Sequence, residues 1–118
     1  MKPKNDLWYV KAPSWIIALC GLWEFGDIAA LFVPGFGHVQ AFVWNHILTG
    51  FVLMLAGVMA ALTNNPATAR TLNRIAAGAG VWLMIAPFIL GRPAVAAGLW
   101  NDIIVGAIVV TLGIWAAR

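Results

Sequence analysis

Four ionisable side chains interrupt the apolar stretches of this sequence: Glu24, Asp27, His46 and Asp102. A charge inside such a stretch costs at least a few kcal/mol unless it is paired or neutralised by a proton. These residues are therefore the candidates for proton transfer, cation coordination or a buried polar network. Glu24 and Asp27 fall one helical turn apart on the same face, with Cys20 a turn away in the other direction. Counted from the expected helix ends, Asp27 and His46 lie at matching depth and pair, while Arg92 reaches towards Asp102 along its apolar stem. Other chemistry is poorly represented. A lone Cys20 excludes an internal disulfide and a thiolate metal cage, and no CxxC, HExxH, Walker or GxGxxG pattern is present. His38 and His46 are the only histidines, and no nucleophile stands beside a base. The sequence thus predicts no catalytic residue, no metal site and no tightly bound cofactor, and leaves contact with lipid, pigment or quinone open.

The elements that must position these residues follow from composition. Of 118 residues, 63% are hydrophobic and 9% charged, and the mean hydropathy is +0.91. Too few polar side chains remain to cover a water-soluble globule, so the expected solvent is lipid. The chain reads as an all-α integral membrane protein of four transmembrane helices. Seven Trp suit anchoring at the membrane interface and aromatic packing. The net charge of +3 comes from basic residues that flank apolar runs instead of forming one interleaved face, which argues against a nucleic-acid partner.

The expected order is a basic lead-in at 1–14, a first hairpin at 15–62, a connecting loop at 63–73 and a second hairpin at 74–118. The spans are Trp15–Val33, Ala41–Leu62, Arg74–Leu90 and Ala94–Ala117, each about 20 residues and long enough for a hydrocarbon core of about 30 Å. Pro34-Gly35-Phe36-Gly37, Asn64-Asn65-Pro66 and Gly91-Arg92-Pro93 break the helices, and Pro13-Ser14 starts the first. A cleaved signal peptide is not expected, because Glu24 and Asp27 interrupt the first apolar run. Lys2, Lys4, Lys11, Arg70, Arg74 and Arg118 fall on one side of this arrangement and Arg92 alone on the other. By the positive-inside rule both termini and the connecting loop are cytoplasmic, in a bacterial-type inner membrane. Glu24 then sits mid-membrane without a basic residue in any span, which favours its protonated, structural form.

One stretch occurs twice. Trp44-Asn45-His46-Ile47 with Gly50 and Gly57 returns as Trp100-Asn101-Asp102-Ile103 with Gly106 and Gly113, displaced by 56 positions (44 to 100, 57 to 113). More faintly, Ile16, Gly21 and Trp23 return as Ile75, Gly80 and Trp82 at an offset of 59 (21 to 80). The pattern predicts two two-helix repeats inserted the same way round, related by an axis along the membrane normal. Glycines seven residues apart lie about 20° apart around a helix, which leaves a groove for close backbone approach. Gly78 and Gly80, with Ala76, Ala77 and Ala79, are expected to do the same on the third helix. Asn45 and Asn101 are expected to satisfy carbonyls freed by the loop or by Pro87.

A hairpin with Gly-x-Trp in its first helix and Trp-Asn-Asp/His-Ile opening its second resembles the SPW-repeat membrane proteins. Ala86-Pro87-Phe88 stands where that family's Ser-Pro-Trp triplet is expected, and the first half has Asp27-Ile28-Ala29 there. The resemblance covers about residues 16 to 117 and implies a small two-hairpin membrane protein, with no settled activity attached. The functional reading favoured by the residues is an auxiliary or structural subunit, or an assembly factor, of a larger and possibly bioenergetic membrane complex. Its partners would be lipid and other membrane subunits or a second copy of itself. The alternative is a small oligomeric transporter or proton path built on Glu24 and Asp27. A membrane enzyme or haem protein is the weakest reading.

Overall fold

The computed structural model describes residues 8–26, 40–90 and 96–118. Among them the chain is all-helical: α1 (Trp8–Phe25), α2 (Gln40–Leu62), α3 (Pro66–Ile89) and α4 (Ala96–Ala116). Asp27, His38, Arg92 and the Pro34-Gly35-Phe36-Gly37 segment lie outside the described residues, as do Lys2 and Lys4. α2, α3 and α4 are long and apolar enough to cross a membrane, while α1, with Lys11 near one end and Glu24 near the other, is not among the helices that meet this measure.

Two boundaries differ from expectation. α1 begins at Trp8 and not after Pro13. A proline so close to a helix start removes a single bond of the second turn, and the Ser14 hydroxyl adds a bond of its own to the Val10 carbonyl at 2.6 Å. Glu24 lies in the last turn of α1 (Trp8–Phe25), and the expected end of the first span at Val33 lies outside the described residues. α3 begins at Pro66, so most of the expected 63–73 loop is helix. Asn65 adopts an extended backbone (φ −92°, ψ 112°) and accepts from the amides of Ala67 and Thr68 at 3.0 and 3.3 Å. A capping side chain followed by proline at the first helical position starts a helix efficiently.

α1 packs chiefly on α2 and α3 on α4. Contacts of α2 with α3 and of α1 with α4 close the ring, and the diagonal pairs touch least. Each helix turns a seam inward at alternating spacings of four and three. The seams are Val10, Ser14, Ile17, Gly21 and Glu24 on α1; His46, Gly50, Leu53, Gly57 and Ala60 on α2; Ala69, Asn73, Ala76, Gly80 and Leu83 on α3; and Asp102, Gly106, Val109, Gly113 and Ala116 on α4, all buried. An average spacing of 3.5 keeps one face towards the neighbours along the whole helix. The middle of the bundle is apolar, filled by Ile17, Leu53, Ala56, Ala76 and Val109 from all four helices.

Glycines set how close the helices come. A Cβ on Gly21 would lie 2.7 Å from the Gly50 carbonyl oxygen, and one on Gly50 would lie 2.6 Å from that of Gly21. Gly80 and Gly106 meet in the same way, at 3.0 and 2.7 Å. Gly57 faces the Ser14 carbonyl at 2.7 Å and Gly113 the Asn73 carbonyl at 2.8 Å. Gly78 differs from expectation: nothing lies within 4 Å of the Cβ it lacks, because it falls outside the seam that runs through Ala76 and Gly80.

The outside reverses the usual order of a soluble protein. Leu19, Leu48, Leu62, Ile89, Ile114 and Trp100 are exposed, whereas Ser14, Glu24, His46, Thr49, Asn73 and Asp102 are buried. Apolar outside and polar inside is stable where the solvent is hydrocarbon.

Candidate functional site

Every inward polar group must find its partner within the bundle, and two clusters result. They lie at opposite ends of the apolar middle layer. At the end where α2 and α4 begin, Glu24 from the last turn of α1, His46 from α2 and Asp102 from α4 converge, with exposures of 1%, 7% and 1%. His46 Nε2 lies 2.6 Å from Asp102 Oδ1 and 3.6 Å from Glu24 Oε2. The shorter distance is a hydrogen bond with one proton between the two groups, carried by the imidazole or by the carboxyl. Glu24 thus has an ionisable imidazole beside it, a cation in its protonated form that the first span's sequence context did not supply. The expected pairings of His46 with Asp27 and of Asp102 with Arg92 involve two residues outside the described ones; among the described residues His46 and Asp102 bond each other.

Asn101 and Asn45 frame this cluster. Asn101 Nδ2 donates to Glu24 Oε1 at 3.0 Å and to Asp102 Oδ1 at 3.3 Å, while its Oδ1 accepts from Trp23 Nε1 at 2.8 Å. Asn45 Oδ1 accepts from Trp82 Nε1 at 2.6 Å and from the Thr49 hydroxyl at 3.5 Å. Among the described residues these partners include an indole of the other hairpin for each Asn and no backbone carbonyl, and the loops whose carbonyls were expected lie outside the described residues. The bonds are reciprocal: the Trp of the first hairpin holds the Asn of the second, and the reverse. Consecutive helical residues project about 100° apart. In each Trp-Asn-His/Asp triplet the Trp therefore faces outward, the Asn a neighbouring helix and the His or Asp the bundle interior. Trp44 and Trp100 are accordingly about half exposed, at 50% and 58%. Of the Ala86-Pro87-Phe88 triplet, Ala86 and Pro87 are buried and Phe88 faces out.

The second cluster, towards the other end, is neutral. The Ser14 hydroxyl lies 3.2 Å from Asn73 Oδ1, and Asn73 Nδ2 donates to the Ala69 carbonyl at 2.9 Å. Sequence reasoning read Ser14 only as part of a helix start and did not single out Asn73. The available signal was their place seven residues before Gly21 and Gly80, on the seams of α1 and α3.

Chemically, the first cluster offers two carboxylates and an imidazole with potential ligand atoms within 4.8 Å of one another. Such a set holds protons or a cation. Cys20, one turn from Glu24 on α1, packs against the apolar core. The sequence matches the family model described as the SPW repeat domain over residues 10–116. No curated protein and no solved structure matches it.

Proposed function

The chain belongs to the SPW repeat family, and on that premise we propose that it is a multi-pass auxiliary or structural subunit, or assembly factor, of a larger membrane complex. The observation that carries this reading is the apolar layer of Ile17, Leu53, Ala56, Ala76 and Val109, which separates the Glu24–His46–Asp102 cluster from the Ser14–Asn73 pair. A water or proton path across the bundle would have to cross this layer, where glycines bring the backbones into contact. The polar side chains are spent on holding helices together, and the large apolar ones face outward, where lipid or other subunits cover them. α1 joins α2, α3 and α4 as a fourth span. The glycine pairs and the reciprocal Trp–Asn bonds support two repeats related by an axis along the membrane normal. Lys11, Arg70, Arg74 and Arg118 support cytoplasmic termini in a bacterial-type inner membrane.

Purification from native membranes in mild detergent tests the reading. A stoichiometric larger assembly is expected to co-migrate with the chain. A lone homo-oligomer whose proteoliposomes conduct protons, with flux lost in a well-assembled Glu24→Gln variant, would replace it with a proton path. For the topology, single cysteines at Gly37 and Thr68 in a Cys20→Ser background should react with an impermeant thiol reagent from opposite faces. Labelling of both from one face contradicts the four-span arrangement.

A further inference from the structure

We propose that Glu24, His46 and Asp102 bind one divalent transition-metal ion that ties α1, α2 and α4 together. The donor set is one imidazole nitrogen and two carboxylates, each brought by a different helix and each more than nine-tenths buried. With metal–ligand bonds of about 2.0–2.2 Å, the ligand atoms of a tetrahedral site stand about 3.3–3.6 Å apart. The 3.6 Å between His46 Nε2 and Glu24 Oε2 already has that length. The 2.6 Å between His46 Nε2 and Asp102 Oδ1 has the length of a hydrogen bond, and it opens by under about 1 Å when a metal replaces the shared proton.

Charge supports the same assignment. With both carboxylates ionised and the imidazole neutral, the three ligands bring two negative charges. A single divalent ion balances the set. The imidazole disfavours Mg2+ and Ca2+, which take oxygen ligands, and one nitrogen with carboxylates suits Zn2+, Fe2+ or Mn2+. The orienting groups are also in place. Asn101 Nδ2 bonds both carboxylates and is itself held by the Trp23 indole, the kind of outer contact that fixes metal ligands. The chain has one such set among its described residues, because Leu83 stands 59 positions after Glu24 (24 to 83) and brings no ligand.

The test uses the full chain in mild detergent with any affinity tag removed, stripped with a chelator and titrated with Zn2+, Mn2+ and, as a control, Mg2+. Calorimetry should give one Zn2+ or Mn2+ per chain, and bound metal should raise the thermal midpoint. His46→Gln and Asp102→Asn should weaken binding at least about 100-fold, and Asn101→Ala, which leaves all three ligands, about 10–100-fold. Ser14→Ala, at the other end of the bundle, should bind like wild type and shows whether a loss elsewhere reflects unfolding. Absence of stoichiometric binding in the folded wild type would mean that the cluster holds protons only. Unchanged binding in folded His46→Gln and Asp102→Asn would place the ion elsewhere. Either result overturns the assignment and leaves the subunit reading standing.

Discussion

The α1–α2 and α3–α4 hairpins use the same parts, and they differ where their inward side chains meet. Gly21, Gly50 and Gly57 in one, and Gly80, Gly106 and Gly113 in the other, press against backbone or side chains of the adjacent helix. Each hairpin lends a Trp to the other's Asn. On the inward seams the hairpins part at three positions that carry a polar side chain: His46 corresponds to Asp102 at the offset of 56, and Ser14 to Asn73 and Glu24 to Leu83 at 59. Two of these differing pairs touch each other, His46 with Asp102 and Ser14 with Asn73. Where His46 meets its counterpart Asp102, the same charged residue in both halves would set like charge against like. Divergence there turns a repulsive contact into a donor facing an acceptor. The third difference leaves its own mark. Asn101 Nδ2 finds Glu24 as an acceptor, whereas Leu83 offers none, and Asn45 Nδ2 has no hydrogen-bond partner among the described residues.

The most severe way to break this comparison is to make the halves alike where they touch. His46→Asp would bury a second carboxylate against Asp102 and Glu24, and His46→Leu would leave both without the imidazole. Each is expected to cost about 3–5 kcal/mol, as the breaking of a buried pair does, measured by reversible unfolding in mixed micelles. Gly57→Leu and Gly113→Leu should follow, each costing about 1–3 kcal/mol or more by overpacking, and with similar costs because both meet backbone. Leucine at the outward Ile104 or Val52 should leave the midpoint unchanged, and a glycine variant that melts with wild type would remove the close-contact assignment. Asn101→Leu should cost about 2 kcal/mol and Asn45→Leu about 1 kcal/mol, since Asn101 holds two carboxylates and Asn45 none. Equal effects would mean that the Trp bonds alone matter. The smallest change is Gly78→Ala, expected to raise stability by up to about 1 kcal/mol. Gly80→Ala, one turn-face away and pressed on Gly106, should lower it.

Particular residues show what could be read in advance. Gly50, Gly57, Gly106 and Gly113 announced close helix contact by their spacing, and the structure puts backbone or side-chain atoms against all four. Glu24, His46 and Asp102 were legible as buried polar groups, but their meeting was not. The usual guide to an inward face is a polar outer face, and here both faces are apolar. The seam is written instead in small and polar residues at four-three spacing. Reading it through Ser14, Gly21 and Glu24, or through Asn73 and Gly80, would have turned these positions inward together.

By itself the sequence determined that the chain is helical and too apolar for water, that it carries a repeated stretch, and that it belongs among SPW-repeat proteins. These properties depend on composition and on near-neighbour spacing along the chain. Only the tertiary structure decided that Trp23 bonds Asn101, that Trp82 bonds Asn45, and that two carboxylates share one imidazole. Those partners lie 78, 37 and, for His46 with Asp102, 56 positions apart. Which long-range pair forms is set by how the glycine seams rotate and slide each helix against its neighbours, and a shift of one residue would point every inward side chain about 100° away.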